Sequence, residues 1–165
     1  MAAEIGELVV GAYLKEVLGC DFVDYNVRPP GGGRTAQFEF DILGLHFRDG
    51  TAILCEVATH LNGLNYGGKT NQDTLNKIAR KHQRQRDYAS THLGNFRRHR
   101  FMLWSPRVPV GFLTDRLAQI AGLELMINVD YGCAVDALRK RAGATTRVTG
   151  NAFFRALQIM EHLRR

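Results

Sequence analysis

Two runs of alternating apolar residues, joined by a three-residue turn signal, constrain the fold of this chain more than any other feature. The first is Ala36-Gln-Phe-Glu-Phe-Asp-Ile-Leu-Gly-Leu-His-Phe47 and the second Thr51-Ala-Ile-Leu-Cys-Glu-Val-Ala-Thr59, with Arg48-Asp49-Gly50 between them. Such alternation around an Asp-Gly pair reads as a β-hairpin of strands 36–47 and 51–59. Each run carries a carboxylate bracketed by bulky apolar residues, Asp41 in one and Glu56 in the other. A carboxylate inside such a strand is costly unless something pairs with it. Side chains alternate along a strand, so Glu39 and Asp41 share one face, as do Glu56, Ala58 and His60. If the two faces coincide, these groups gather at one end of the sheet. Glu39 fits a solvated edge charge, whereas Asp41 and Glu56 do not.

Helical periodicity surrounds the hairpin. Ile5, Leu8, Val9, Ala12, Tyr13 and Val17 predict a helix over about 3–18, stopped by Gly19. Residues 22–27 alternate as a strand, broken by Pro29-Pro30-Gly31-Gly32-Gly33. After a Gly/Asn-rich loop at 61–70, a long helix is expected over 72–91. A strand at 100–104, a helix at 110–121, a strand at 123–129 and helices at 131–142 and 151–164 complete the chain, the last capped by Thr149 or Asn151. At 165 residues the chain is read as one domain, 1–165, with its core over about 1–130 and C-terminal helices over about 131–164. The element order predicts an α/β fold with a mixed central sheet flanked by helices.

Charge narrows the partners. The net charge is +6. Lys77, Arg80, Lys81, Arg84, Arg86, Arg97, Arg98 and Arg100 fall in one stretch opposed only by Asp87, a distribution suited to phosphates. No apolar run approaches the roughly 20 residues that span a bilayer, so no membrane partner is expected. The acidic start, Glu4 and Glu7, argues against a secretory leader. Three scattered cysteines, Cys20, Cys55 and Cys133, point to a reducing compartment and a cytoplasmic location. His82, His92 and His99 lack metal-ligand spacing and read as isolated surface histidines. Cys55, Phe101 and Trp104 read as core. Two carboxylates at the facing ends of a hairpin suit one hard divalent cation, Mg²⁺ or Mn²⁺, the outline of a metal-dependent phosphodiesterase site.

The order of a helix bearing Glu7, then Asp41, then Glu56 across a short hairpin resembles the PD-(D/E)xK nuclease superfamily. That superfamily includes restriction endonuclease-like and Holliday junction resolvase-like enzymes. The likeness covers roughly residues 1–105 and rests on three segments. Gly6-Glu7 through Gly19 looks like its first helix, Phe38 to Gly44 its aspartate strand, and Leu54-Cys-Glu-Val-Ala58 its (D/E)xK strand. The resemblance implies a restriction endonuclease-like αβββαβ core and Mg²⁺- or Mn²⁺-dependent cleavage of nucleic acid, DNA first. Asp41, Glu56 and the Val57 carbonyl would hold the metal, and Glu7 would orient water. A homodimer is left open. The motif lysine is replaced by Ala58. Lys77 or Lys81, one turn apart on the following helix, would supply the missing cation, with Gln85 and Tyr88 continuing that face; Lys69 and His60 are the other candidates. Lys69, Arg84, Arg97, Arg98 and Arg100 would hold the phosphate backbone. The alternative is a catalytically inactive nuclease-like domain that binds nucleic acid or protein, and Ala58 is its support. A small-molecule phosphohydrolase is a third reading, which would not need the basic stretch.

Overall fold

Residues that alternate in sequence end up facing two different helical layers. The computed structural model describes residues 2–30, 38–66 and 70–164. Five strands, β1 (Phe22–Val27), β2 (Phe40–His46), β3 (Thr51–Val57), β4 (Arg98–Ser105) and β5 (Leu123–Ile127), form one sheet in that spatial order. β1, β2 and β3 pair antiparallel, and β3, β4 and β5 pair parallel. The fold is therefore α/β with a mixed sheet flanked by helices, as the element order predicts.

Helices α1 (Ile5–Glu16), α4 (Val129–Ala144) and α5 (Ala152–Leu163) cover one face. Val10 and Leu14 of α1 pack there against Ile42, Ile53, Cys55, Met102 and Trp104. Helices α2 (Asn71–His92) and α3 (Phe112–Leu117) cover the other, where Leu43, Leu54 and Leu103 meet Ile78, Ala89, Leu113 and Leu117. β3 lies at the centre, buried on both sides from Thr51 through Glu56. That is why its sequence is an almost unbroken apolar run.

Element ends differ from the periodicity for local reasons. The strand expected over 36–47 begins at Phe40 within the described residues, and β3 stops at Val57 rather than 59. The helix expected over 110–121 shrinks to Phe112–Leu117, between Gly111 and Gly122, which hold φ of 113° and 76°. The strand expected to reach 129 ends at Ile127, because Asn128 turns to φ 51° and α4 starts at once. Asn151, not Thr149, caps α5, its Oδ1 accepting from the Phe154 N–H at 2.9 Å. Among the described residues no helix is long and apolar enough to cross a membrane.

One close approach fixes where α1 begins. A Cβ added at Gly6 would lie 2.1 Å from Thr59 Cγ2 and 3.1 Å from Thr59 Cβ, so only glycine lets the first turn of α1 sit against the chain leaving β3. Gly6→Ala should therefore cost about 1–3 kcal/mol, read as a lower urea midpoint at unchanged m-value. Adding Thr59→Gly in the same chain should restore part of the loss. Equal midpoints for Gly6→Ala and the parent would show that the helix start is not pinned there.

Candidate functional site

The site is built where the hairpin ladder stops. The last β2–β3 pair is Ile42↔Cys55. Continuing that register by one residue places Asp41 opposite Glu56, and here the strands no longer exchange ladder bonds in the ordinary way. Instead the Val57 N–H donates to Asp41 Oδ2 at 2.7 Å. The two carboxylates are thus brought together at the C-terminal end of the central strand, as the alternation predicts.

Glu56 is 5% exposed. Its Oε1 accepts from the Tyr66 hydroxyl at 2.8 Å and from the Lys81 ammonium, which reaches it from α2. A buried charge persists only when paired and hydrogen-bonded, and both conditions are met here. Tyr66 also organises the cations. Lys81 Nζ lies 5.1 Å and Lys77 Nζ 4.9 Å from its ring centroid, and Lys77 Nζ is 3.4 Å from the Tyr66 carbonyl oxygen. Burial against Glu56 pushes the phenol pKa up, keeping the proton on Tyr66 and the hydrogen bond pointed at the carboxylate.

Asp41 is the strained partner. Burial first, and the neighbouring Glu56 charge second, push its carboxyl up to about 7, against the opposing pull of the Val57 N–H and Lys81. Glu7 adds a further like charge. Glu7 itself stands on the first turn of α1, where its Oε2 accepts from the Glu4 N–H at 2.9 Å and from Asn26 Nδ2 at 3.4 Å. Burial raises its pKa, and the Glu4 N–H works against that rise. Asn26, at φ 53°, occupies the β1 position opposite Asp41 in the β1–β2 register and so ties α1 to the carboxylate strand. Nothing in the sequence pattern marks Asn26 or Tyr66. The only available signal is that each is a residue out of place, an Asn within an alternating strand and a Tyr in a Gly/Asn-rich loop.

Position 58 leaves no room for a long side chain. Ala58 is 4% exposed and packs with Leu64, Ile78 and Leu103 under α2. Its N–H donates to the Trp104 carbonyl at 2.9 Å. The volume that a lysine would need there belongs to the core. Lys81 brings an ammonium to the same carboxylate from the helix above it.

The other expected contributors separate. Arg98 pairs with Thr51 in the β3–β4 register, at the opposite end of β3 from Val57 and about 20 Å away along the strand. It lies 3.4 Å from Asp49, and Arg97 packs beside Gly50 at the hairpin turn. Arg100 lines a cavity with Leu18 and Cys20 on the α1 side and makes a bidentate pair with Glu124 at 2.7 and 2.8 Å. The Arg97, Arg98 and Arg100 group is therefore not part of the carboxylate end. Arg84 is: it is exposed on the same α2 stripe as Lys77 and Lys81, its guanidinium carbon 5.1 Å from the Phe38 ring. Lys69 lies outside the described residues. Glu39 pairs with Arg28 at 2.8 Å, and His60 is exposed with its ring edge-on to Tyr66. Gln85 is buried rather than presented to solvent, and its Nε2 has no hydrogen-bond partner among the described residues. His82, read from sequence as a surface histidine, is buried, with Nε2 donating to the Ala121 carbonyl at 3.0 Å. Cys55 is core, and burial raises its thiol pKa.

As a metal site the arrangement is open. Among the described residues no group of three or more His, Cys, Asp or Glu side chains is placed to hold an ion. Asp41 and Glu56, with the Val57 carbonyl as the third expected ligand, would be an all-oxygen donor set, of the kind that suits Mg²⁺ or Mn²⁺ with waters completing the shell. Burial first, and the neighbouring Glu56 charge second, raise the Asp41 pKa, so a cation here would favour its charged form. No family model matches the chain, and neither does any curated protein or solved structure.

Two outcomes follow. Asp41 titrates near 4 in the unfolded chain and about 7 in the fold. Because the native pKa is the higher, this group favours folding below pH 4, and that contribution is lost as pH rises through 7. Asp41→Asn keeps an acceptor for the Val57 N–H and removes the charge. It should raise Tm at pH 8 and give a much smaller gain at pH 5; equal gains at both would contradict a raised pKa. Ala58→Lys should lower Tm by several degrees, since it forces a long charged chain into packed volume. A melt at the parent temperature would show that position 58 is open after all.

Proposed function

We propose that this chain is a metal-dependent phosphodiesterase acting on nucleic acid, DNA first, built on a restriction endonuclease-like core. The observation that carries the reading is the Lys81 ammonium on Glu56 Oε1. It places a lysine beside the second carboxylate although Ala58 occupies the motif position. Asp41 and Glu56, with the Val57 carbonyl, would hold Mg²⁺ or Mn²⁺, which supplies positive charge against the scissile phosphate. Tyr66 holds Glu56 in one orientation. Lys81 moves between the carboxylate and the phosphate, stabilising the negative charge that develops during displacement. Glu7, anchored through Glu4 and Asn26, bounds the site from the α1 side and orients water there. Lys77 and Arg84, exposed along α2, neutralise the flanking phosphates.

A second reading keeps the fold and drops the chemistry. The same Lys81 ion pair favours it, because an ammonium on Glu56 partly satisfies that carboxylate without a metal. The chain would then be a nucleic-acid-binding or protein-interaction module.

Nicking of supercoiled DNA in Mg²⁺ or Mn²⁺, lost on chelation, is the expected result. Lys81→Ala should lower the rate about 10²–10³-fold with little change in DNA affinity, and the exposed Lys77→Ala by less than tenfold. Calorimetry should show weak Mn²⁺ binding that Asp41→Asn removes. Absence of both Mn²⁺ binding and cleavage on every nucleic acid tried would establish the inactive module instead.

A further inference from the structure

Past Lys81 the exposed stripe of α2 changes character. Lys77, Lys81 and Arg84 are followed by Asp87, Tyr88 and His92 on the next two turns. A shallow groove of 240 Å³ runs along this second half, lined by Pro29, Phe38, Arg84, Asp87, Tyr88 and His92 among others. Its floor is aromatic and continuous. The Tyr88 and His92 rings are 4.7 Å apart, Tyr88 and Phe40 4.6 Å, and Phe38 and Phe40 4.5 Å. Phe40 is buried and holds the cluster from beneath, while Phe38 and Tyr88 are half-buried and His92 is exposed. Arg84 lies across the Phe38 face at the end of the groove nearer Lys81.

We propose that this ledge is a base-stacking subsite for one unpaired nucleotide of a single-stranded nucleic acid, whose backbone continues toward Lys81. The inference rests on the phosphodiesterase reading for its direction but not for its chemistry. Arg84 is about 4.5 Å up the helix axis from Lys81, and Tyr88 about 6 Å beyond Arg84. That is the order phosphate, phosphate, base. The carboxylate supports the assignment. Asp87 Oδ1 is held by the Gln83 side-chain amide at 2.8 Å, on a side of the groove where a phosphate would be repelled. The same carboxylate accepts readily from the amino edge of a base. Cations beside aromatic rings on which a base can stack are the general device for holding unpaired strands, and here Lys81 and Arg84 stand beside rings that meet one another tilted or edge-on. A duplex, whose bases are covered by their own neighbours, can use the cations but not the rings.

The test is binding in chelator, so that no cleavage is needed. The probes are a fluorescein-labelled 12-nucleotide single strand, an abasic strand of the same length, and the corresponding duplex. The full chain should prefer the base-bearing strand over the abasic one by roughly tenfold. His92→Ala, at an exposed position, should remove most of that preference and leave abasic-strand and duplex affinities within twofold of the parent. Tyr88→Leu, with its fold verified by melting, should do the same. A 2-aminopurine placed in the single strand should be quenched on binding to the parent and less so on binding to either variant. Equal parental affinity for base-bearing and abasic strands overturns the subsite. So does a uniform loss on all three probes in His92→Ala. Base-dependent binding without cleavage in Mg²⁺ or Mn²⁺ would instead overturn the phosphodiesterase reading and leave the subsite standing.

Discussion

The structure depends on keeping a charged carboxylate inside the central strand of a five-stranded sheet. Glu56 sits where β3 is still covered by helices on both faces. A lone ion there would be neutralised or expelled. It is retained because one oxygen collects two donors from different elements, a loop phenol and a helix ammonium. Each donor is held in turn: Tyr66 stands against two cations, and Lys81 rides on a helix that buries Ile78, His82, Gln85 and Ala89. The position of α2 over the sheet and the placement of Glu56 within it are therefore one problem with one solution. Among the described residues Asp41 accepts from one backbone N–H, that of Val57, while burial first and the Glu56 charge second raise its pKa. A site with a phenol and an ammonium on one carboxylate and a backbone N–H on the other is asymmetric before any ligand arrives.

The hairpin was legible because its turn residues and its alternation agree, and the paired carboxylates followed from parity alone. With Lys69 and His60 as the other candidates, scarcity of lysine and helical spacing singled out Lys77 and Lys81. Structure separates those two by reach: Lys81 touches Glu56, while Lys77 stops at the Tyr66 loop. Tyr66 and Asn26 were not legible, since their roles come from loop path and from a left-handed backbone turn, neither of which leaves periodicity in the sequence. His82 misled because a histidine on a basic helix reads as surface, yet its position facing β4 puts it under Ala121 and against Phe101.

The basic stretch shows how sequence proximity can mislead about spatial proximity. Residues 77–100 form one charge run on the page, but α2 and β4 run in opposite senses across the sheet. The helix brings Lys77, Lys81 and Arg84 to the carboxylate end and then carries the chain back. Arg97 and Arg98 emerge at the hairpin turn, and Arg100 points to the other face and is spent on Glu124. Of the eight cations in that run, the three placed at the carboxylate end, Lys77, Lys81 and Arg84, belong to a single helix face.

Ala58 and Lys81 are physically coupled. A helix can lie close over the end of β3 only if the residue two places after Glu56 is small, and Ala58 packs directly beneath Ile78. Ile78 lies one position from Lys77 and three from Lys81, so the depth to which it seats sets how near the Lys81 stem comes to the sheet. A lysine at 58 would push the helix outward and draw Lys81 away from Glu56. A small residue at 58 lowers the helix until its own lysine reaches. A small residue at 58 and a helix lysine on Glu56 are then two consequences of the same packing choice. Read from the sequence, Ala58 supports an inactive module; packed under α2, it is also the small residue that lets Lys81 reach Glu56.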